Sequence, residues 1–183
     1  IDRIYYRDVA LREGVLYEML EQMRHPNIRV RTRKSMQSRY STDTAHAERV
    51  TDTVSAILQR VPAAWLGSKE DVHEILYEAA HLHEVGLQIS AGGLQKHSAY
   101  ILASSDLPGY NEDQQLLLAS LVGAHRKKIR LDDLPKLRII EPSALLRLII
   151  VLRLAIIFNI TRWPIGLAYV ELSVKPDGLH IVV

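Results

Sequence analysis

Cysteine is absent from the 183 residues. That excludes a disulfide framework and a thiolate zinc site. It also agrees with a reducing, cytoplasmic setting. No charged-then-apolar leader opens the chain. The most apolar stretch, residues 144–160, spans 17 residues and is broken by Arg147 and Arg153. That is short for a membrane span, so a buried core helix and no membrane partner are expected. A Gly-x-Ser-x-Gly elbow and a Gly-x-x-x-x-Gly-Lys phosphate loop are both missing, which removes two common routes to hydrolysis and nucleotide binding. The chain starts at Ile1 without methionine and ends on Ile181-Val182-Val183, a strand-like close expected of a piece of something longer.

Acid is missing locally as well. Between Gln22 and Thr42 there are six basic residues and no Asp or Glu: Arg24, Arg29, Arg31, Arg33, Lys34 and Arg39. A second acid-free cluster is His125-Arg126-Lys127-Lys128-Ile129-Arg130. The net charge of +2 hides both. Arginine presents a planar fork to phosphate oxygens, so repeated forks suit a polyanion. The alternative is a solvated face that binds nothing. Interleaved aromatics for base stacking are lacking, so a sequence-specific nucleic-acid partner is not expected.

Helical periodicity dominates the chain. Residues 8–24 repeat apolar positions from Leu11 to Met23, and His25-Pro26-Asn27 closes that helix. Residues 29–40 read as a loop and then a short helix. Ser41-Thr42-Asp43 caps a long helix through Val50, Val54, Ile57 and Leu58, which Pro62 ends or kinks. Ser68-Lys69-Glu70-Asp71 opens the next helix, and Gly86 is the expected stop. A glycine loop, 91–93, leads to His97 and a helix over 98–104; Asn111 starts another, 114–124. After Pro164 the pattern alternates, and Lys175-Pro176-Asp177-Gly178 turns one strand into a second. The fold class is therefore mainly α, a helical domain to about residue 164 and then the start of a small α/β hairpin unit over 165–183.

The residues that carry chemistry centre on His81-Leu82-His83-Glu84. Helical domains that hold metal with histidine and aspartate use a first His, a His-Asp pair and a distant Asp. His46, His83 and Glu84 are the candidate ligands here. The distant acid should fall on helix 144–160, but no Asp or Glu lies between Glu141 and Glu171, and Ile156 stands at the expected position. Glu84 is also one methylene longer than Asp. The expectation is therefore no metal. The competing reading pairs His81 and His83 with Glu78 and Glu84 as helix-end histidines favoured by the dipole.

Leu11-Arg12-Glu13-Gly14-Val15-Leu16-Tyr17, residues 35–50 with Arg39-Tyr40, and Ala80-His81-Leu82-His83-Glu84-Val85-Gly86 followed by His97-Ser98-Ala99-Tyr100-Ile101-Leu102 resemble the exopolyphosphatase / guanosine pentaphosphate phosphohydrolase family. The resemblance covers nearly the whole chain. It implies a linker over 1–10 from a catalytic half, a degenerate HD-type helical domain over 11–164, and a truncated small domain after it. It implies that catalysis and Mg²⁺ belong to that other half, leaving no cofactor and no catalytic residue here. It further implies a homodimer and binding of a polyphosphate chain by Arg29, Arg31, Arg33, Lys34, Arg39, His83, His97, Arg126 and Lys127. His46 stands where the family suggests Gln. Exopolyphosphatase is the main expectation; guanosine pentaphosphate phosphohydrolase, or an active metal phosphohydrolase using His46, His83 and Glu84, is the alternative.

Overall fold

The structure, a computed structural model, describes residues 28–67, 70–129, 134–162, 171–175 and 178–182. The expected linker over 1–10, the helix over 8–24, the Ser68-Lys69 cap, Arg130 and the Pro176-Asp177 turn lie outside these residues. Among the described residues seven α-helices precede one hairpin: α1 Ile28–Arg39, α2 Thr44–Leu58, α3 Ala63–Leu66, α4 Glu70–Leu82, α5 Leu94–Ser104, α6 Glu112–Gly123 and α7 Pro142–Phe158. Strands β1 Glu171–Lys175 and β2 Gly178–Val182 pair antiparallel, with Glu171 opposite Val182 and Lys175 opposite Gly178. Leu172, Val174 and Leu179 pack against the helical core. No described helix is long and apolar enough to cross a membrane.

Helix α4 is the hub, packed by α1, α2, α6 and α7. Its Ile75, Leu76, Ala79, Ala80 and Leu82 are wholly buried, an apolar stripe wide enough for several neighbours. The caps explain where its neighbours begin. Asp43 accepts a hydrogen bond from the His46 N–H at 2.9 Å at the start of α2. Asn111 and Gln114 form a reciprocal capping box at the start of α6. Pro142, in the first turn of α7, needs no partner for its nitrogen.

Helix α7 is apolar on most sides and is accordingly buried through Leu145, Leu148, Ile149, Val151 and Leu152. The two arginines that break this run tie it to its surroundings. Arg147 donates to the Trp65 carbonyl and lies over the Trp65 ring. Arg153 donates through Nε to the Ala124 carbonyl at 2.8 Å and through Nη2 to the Lys127 carbonyl.

Two local expectations are corrected. The basic stretch is not a loop and a short helix but one helix, α1. Arg29 and Arg33, one turn apart, face Glu74 and Glu78, also one turn apart on α4, at 2.9 and 3.0 Å. Thr32, Met36 and Gln37 fill the rest of the inner face. Nor does Gly86 stop a helix. Helix α4 ends at Leu82, and Gly86 lies buried inside a short 3₁₀ turn, Val85–Gln88. A Cβ there would stand 2.5 Å from the Ser98 backbone nitrogen. Glycine is needed for the close approach of α5, which starts at Leu94 and so takes in His97.

Candidate functional site

Three imidazoles form a row where the start of α2, the end of α4 and the end of α6 meet. The His46 and His83 ring centroids are 5.6 Å apart, as are those of His83 and His125, and all three side chains are buried. His83 Nδ1 lies 2.8 Å from the Ala80 carbonyl, and His125 Nδ1 contacts the Val122 carbonyl. A carbonyl only accepts, so each Nδ1 carries the proton and each Nε2 keeps a bare lone pair. Neither Nε2, nor Nδ1 of His46, has a hydrogen-bond partner among the described residues.

Burial keeps these rings neutral. It pushes His83 down to about 4, opposed by the nearby Glu84 carboxylate, and pushes His125 down to about 3, with His83 adding to the effect. Burial likewise lowers His46. This corrects the helix-end reading, in which His81 and His83 would be cations paired with Glu78 and Glu84. His81 is lowered to about 4, first by burial and then by Arg33. Glu78 belongs to Arg33; burial raises its carboxyl and Arg33 opposes the rise.

Glu84 is held instead by Arg162, just beyond α7. Arg162 Nη2 donates to both Glu84 oxygens at 2.8 and 3.0 Å, while Nη1 donates to Asp43 Oδ2 at 2.7 Å. His46 Nε2 is 4.0 Å from Glu84 Oε1. One ligand atom each from His46, His83 and Glu84 lie within 4.8 Å of one another. At the position expected for a distant acid, Ile156 packs against the core. The charge facing Glu84 is a guanidinium.

The basic residues divide into three sets. Arg29 and Arg33 are engaged with α4, and Arg29 also donates to the Gly109 carbonyl and to Gln114 and lies over the Tyr110 ring. Arg31, Lys34 and Arg39 are exposed on the outer side of α1. Arg126 and Lys127, joined by Lys128, line a groove of about 860 Å³ between α5 and α6. Lys96 and Tyr100 stand on its other wall, and Ala99, Ala103, Ala119 and Gly123 are among the small residues that line it. No acid is among the described lining residues. Tyr100 is 70% exposed. His97 contacts the Gly92 carbonyl at 3.2 Å and does not line the groove. His83, only 2% exposed, offers no surface to a chain-like anion.

Lys96 and Tyr100 were not among the candidates drawn from the sequence, nor were His125 as a site residue and Arg162; Lys128 was named there only as part of the second basic cluster. His125 carried a signal: it continues the buried stripe Leu118, Leu121, Val122 of α6 at helical spacing. Arg162 carried none, since its partners lie 78 and 119 residues away.

The profile of the Ppx/GppA phosphatase family, domain III, matches residues 28–176. Relatives named guanosine-5'-triphosphate,3'-diphosphate pyrophosphatase are similar over most of the chain. That of Vibrio atlanticus (strain LGP32) is 37% identical over 164 residues, 90% of this chain and 33% of the relative. That of Vibrio cholerae (strain ATCC 39541) is 36% identical over 173 residues, 94% of this chain and 34% of the relative. That of Vibrio vulnificus (strain YJ016) is 34% identical across 100% of this chain and 36% of its own length. The chain thus spans about a third of the length of the curated relatives it matches. Its helical architecture, its closing hairpin and these matches agree, and the chain belongs to the Ppx/GppA phosphatase family, of which it carries domain III.

Proposed function

We propose that this chain is the helical region of a phosphohydrolase acting on guanosine pentaphosphate, the guanosine 5'-triphosphate,3'-diphosphate in its relatives' names, and that the groove between α5 and α6 holds that nucleotide. The groove carries the reading. Four cations, Lys96, Arg126, Lys127 and Lys128, line it with no acid among the described lining residues, and an exposed tyrosine stands beside them. Phosphates suit the cations, and a base suits the face of Tyr100, where stacking contributes about 1–3 kcal/mol. On this reading the hydrolysis, with its Mg²⁺, belongs to the remainder of the enzyme. Polyphosphate was the main expectation from the sequence; the names of the relatives and the aromatic wall favour the nucleotide.

The test is equilibrium binding of guanosine pentaphosphate and of inorganic pyrophosphate to the protein with any native flanking sequence retained. Tyr100→Ala should weaken the nucleotide about tenfold and leave pyrophosphate unchanged. Replacing Arg126, Lys127 and Lys128 with Ala should weaken both. If polyphosphate binds and Arg31, Lys34 and Arg39 changed to Ala abolish that binding while the nucleotide ignores the groove, the exopolyphosphatase reading takes its place.

A further inference from the structure

We propose that α1 is a strap latched to the domain by charge. Rising ionic strength releases it as a unit, while the core built by α2, α4, α6 and α7 stays folded. Its twelve residues carry five cations, Arg29, Arg31, Arg33, Lys34 and Arg39, and no acid. Met36 is the one apolar side chain it buries, beside the polar Thr32 and Gln37. By contrast Val54 on α2, Leu76 on α4, Leu121 on α6 and Leu148 on α7 are wholly buried, in a core that takes only Met36 from α1 among the described residues.

What holds α1 is a polar seam. Arg33 pairs with the buried Glu78 at 3.0 Å, and Arg29 with the exposed Glu74 at 2.9 Å. Thr32 Oγ1 donates to the Pro108 carbonyl at 2.7 Å, and Gln37 Nε2 donates to the His81 carbonyl at 3.3 Å. Arg29 Nε donates to the Gly109 carbonyl at 2.9 Å. The turn that receives these bonds is shaped to this helix: Gly109 has φ of 93°, and a Cβ there would stand 2.6 Å from Ile28 Cγ2. Such a seam answers to salt as an apolar one does not. The exposed pair is screened, and the buried pair sits near balance between attraction and desolvation, so Arg33 and Glu78 recover water when α1 leaves. Release exchanges a neutralised seam for two surfaces of opposite charge, Glu74 and Glu78 on α4 and a freed Arg29 and Arg33. A helix of twelve residues is marginal by itself in water, so a released α1 also loses its backbone hydrogen bonds.

Hydrogen exchange read by mass spectrometry, on the protein with flanking sequence retained, tests this. Raising NaCl from about 0.1 M to about 1 M shortens the screening length from about 10 Å to about 3 Å. Peptides from α1 should then exchange about tenfold faster, while peptides from α4 and α7 keep their rates. Glu74→Gln with Glu78→Gln should speed exchange in α1 at low salt and remove its salt dependence, with circular dichroism checking that the variant is folded. If it is not, the salt series on the parent decides alone. Exchange in α1 that ignores salt overturns the proposal. So does an α1 that opens only together with α4 and α7, or a folded double variant whose α1 is as protected and as salt-sensitive as the parent's.

Discussion

Gly86→Ala should destabilise the protein by about 2–4.5 kcal/mol, and the estimate can be built from the contacts. The φ of Gly86 is not in the left-handed region, so backbone entropy alone would favour alanine by about 0.4–1 kcal/mol. Space decides against it. An added Cβ meets the Ser98 nitrogen at 2.5 Å and both Ser98 Oγ and His97 Cβ at 2.8 Å. Restoring van der Waals separation pushes the start of α5 back by about 1 Å, and overpacking of this kind costs about 1–3 kcal/mol. The same shift stretches two buried hydrogen bonds. Gly86 N–H donates to Ser98 Oγ at 2.9 Å, and Ser98 Oγ–H donates to the His83 carbonyl at 2.8 Å. Each contributes about 1 kcal/mol. Urea denaturation followed by circular dichroism measures the sum. With Ser98→Ala already in place, Gly86→Ala should cost less than it does alone, because those bonds are gone while the backbone collision remains. A Gly86→Ala protein within 1 kcal/mol of the parent, or more stable than it, would refute the packing argument.

Buried neutral histidines make the fold acid-sensitive. The folded-state values of His83 and His125 lie below the ordinary 6.5, so stability is complete above that pH and is lost as pH falls from 6.5 toward about 4. With a chelator present, urea melts at pH 5 should show about 2 kcal/mol of loss per ring relative to pH 7.5. His125→Gln should remove one ring's share of that slope, and an unchanged slope would count against the assignment. His83 feels His46, Glu84 and Arg162, whereas His125 feels His83, Arg126 and Arg153, so the two losses need not add. Arg33→Ala leaves Glu78 buried without its countercharge and should cost about 3 kcal/mol at pH 7. Burial raises the Glu78 carboxyl, so the cost should shrink as pH falls and the carboxyl protonates, and a loss independent of pH would exclude the ion pair as its cause.

Much of the helical frame was legible because it rests on local rules. Asp43 and Asn111 mark helix starts through their own side chains, and Val50, Val54 and Ile57 mark a buried stripe by spacing. Helix α1 escaped because Arg29 and Arg33 take their partners from α4, so a run that looked solvated is half internal. Gly86 read as a stop signal because its true role depends on Ser98, a neighbour across space. The histidine row was half visible: the His83-Glu84 pair and His46 stood out, while His125 was absorbed into a basic cluster. Arg162 replaced the missing acid with a cation, an inversion of charge that no spacing rule announces.

The grip of Arg153 on segment 124–127 bears on what a ligand must spend in disorder. Two carbonyls of that segment are tied to α7 by one guanidinium, and Lys127 is fixed at a φ of 64°. A flexible basic loop would lose conformational freedom on meeting an anion, at about 0.5–1.5 kcal/mol for each immobilised side chain and more for backbone. Here the backbone share of that loss is already met by folding. Arg126 and Lys127 therefore greet a ligand from a stiff ledge, and loosening Arg153 should slow nothing in the core yet raise the entropic cost of filling the groove.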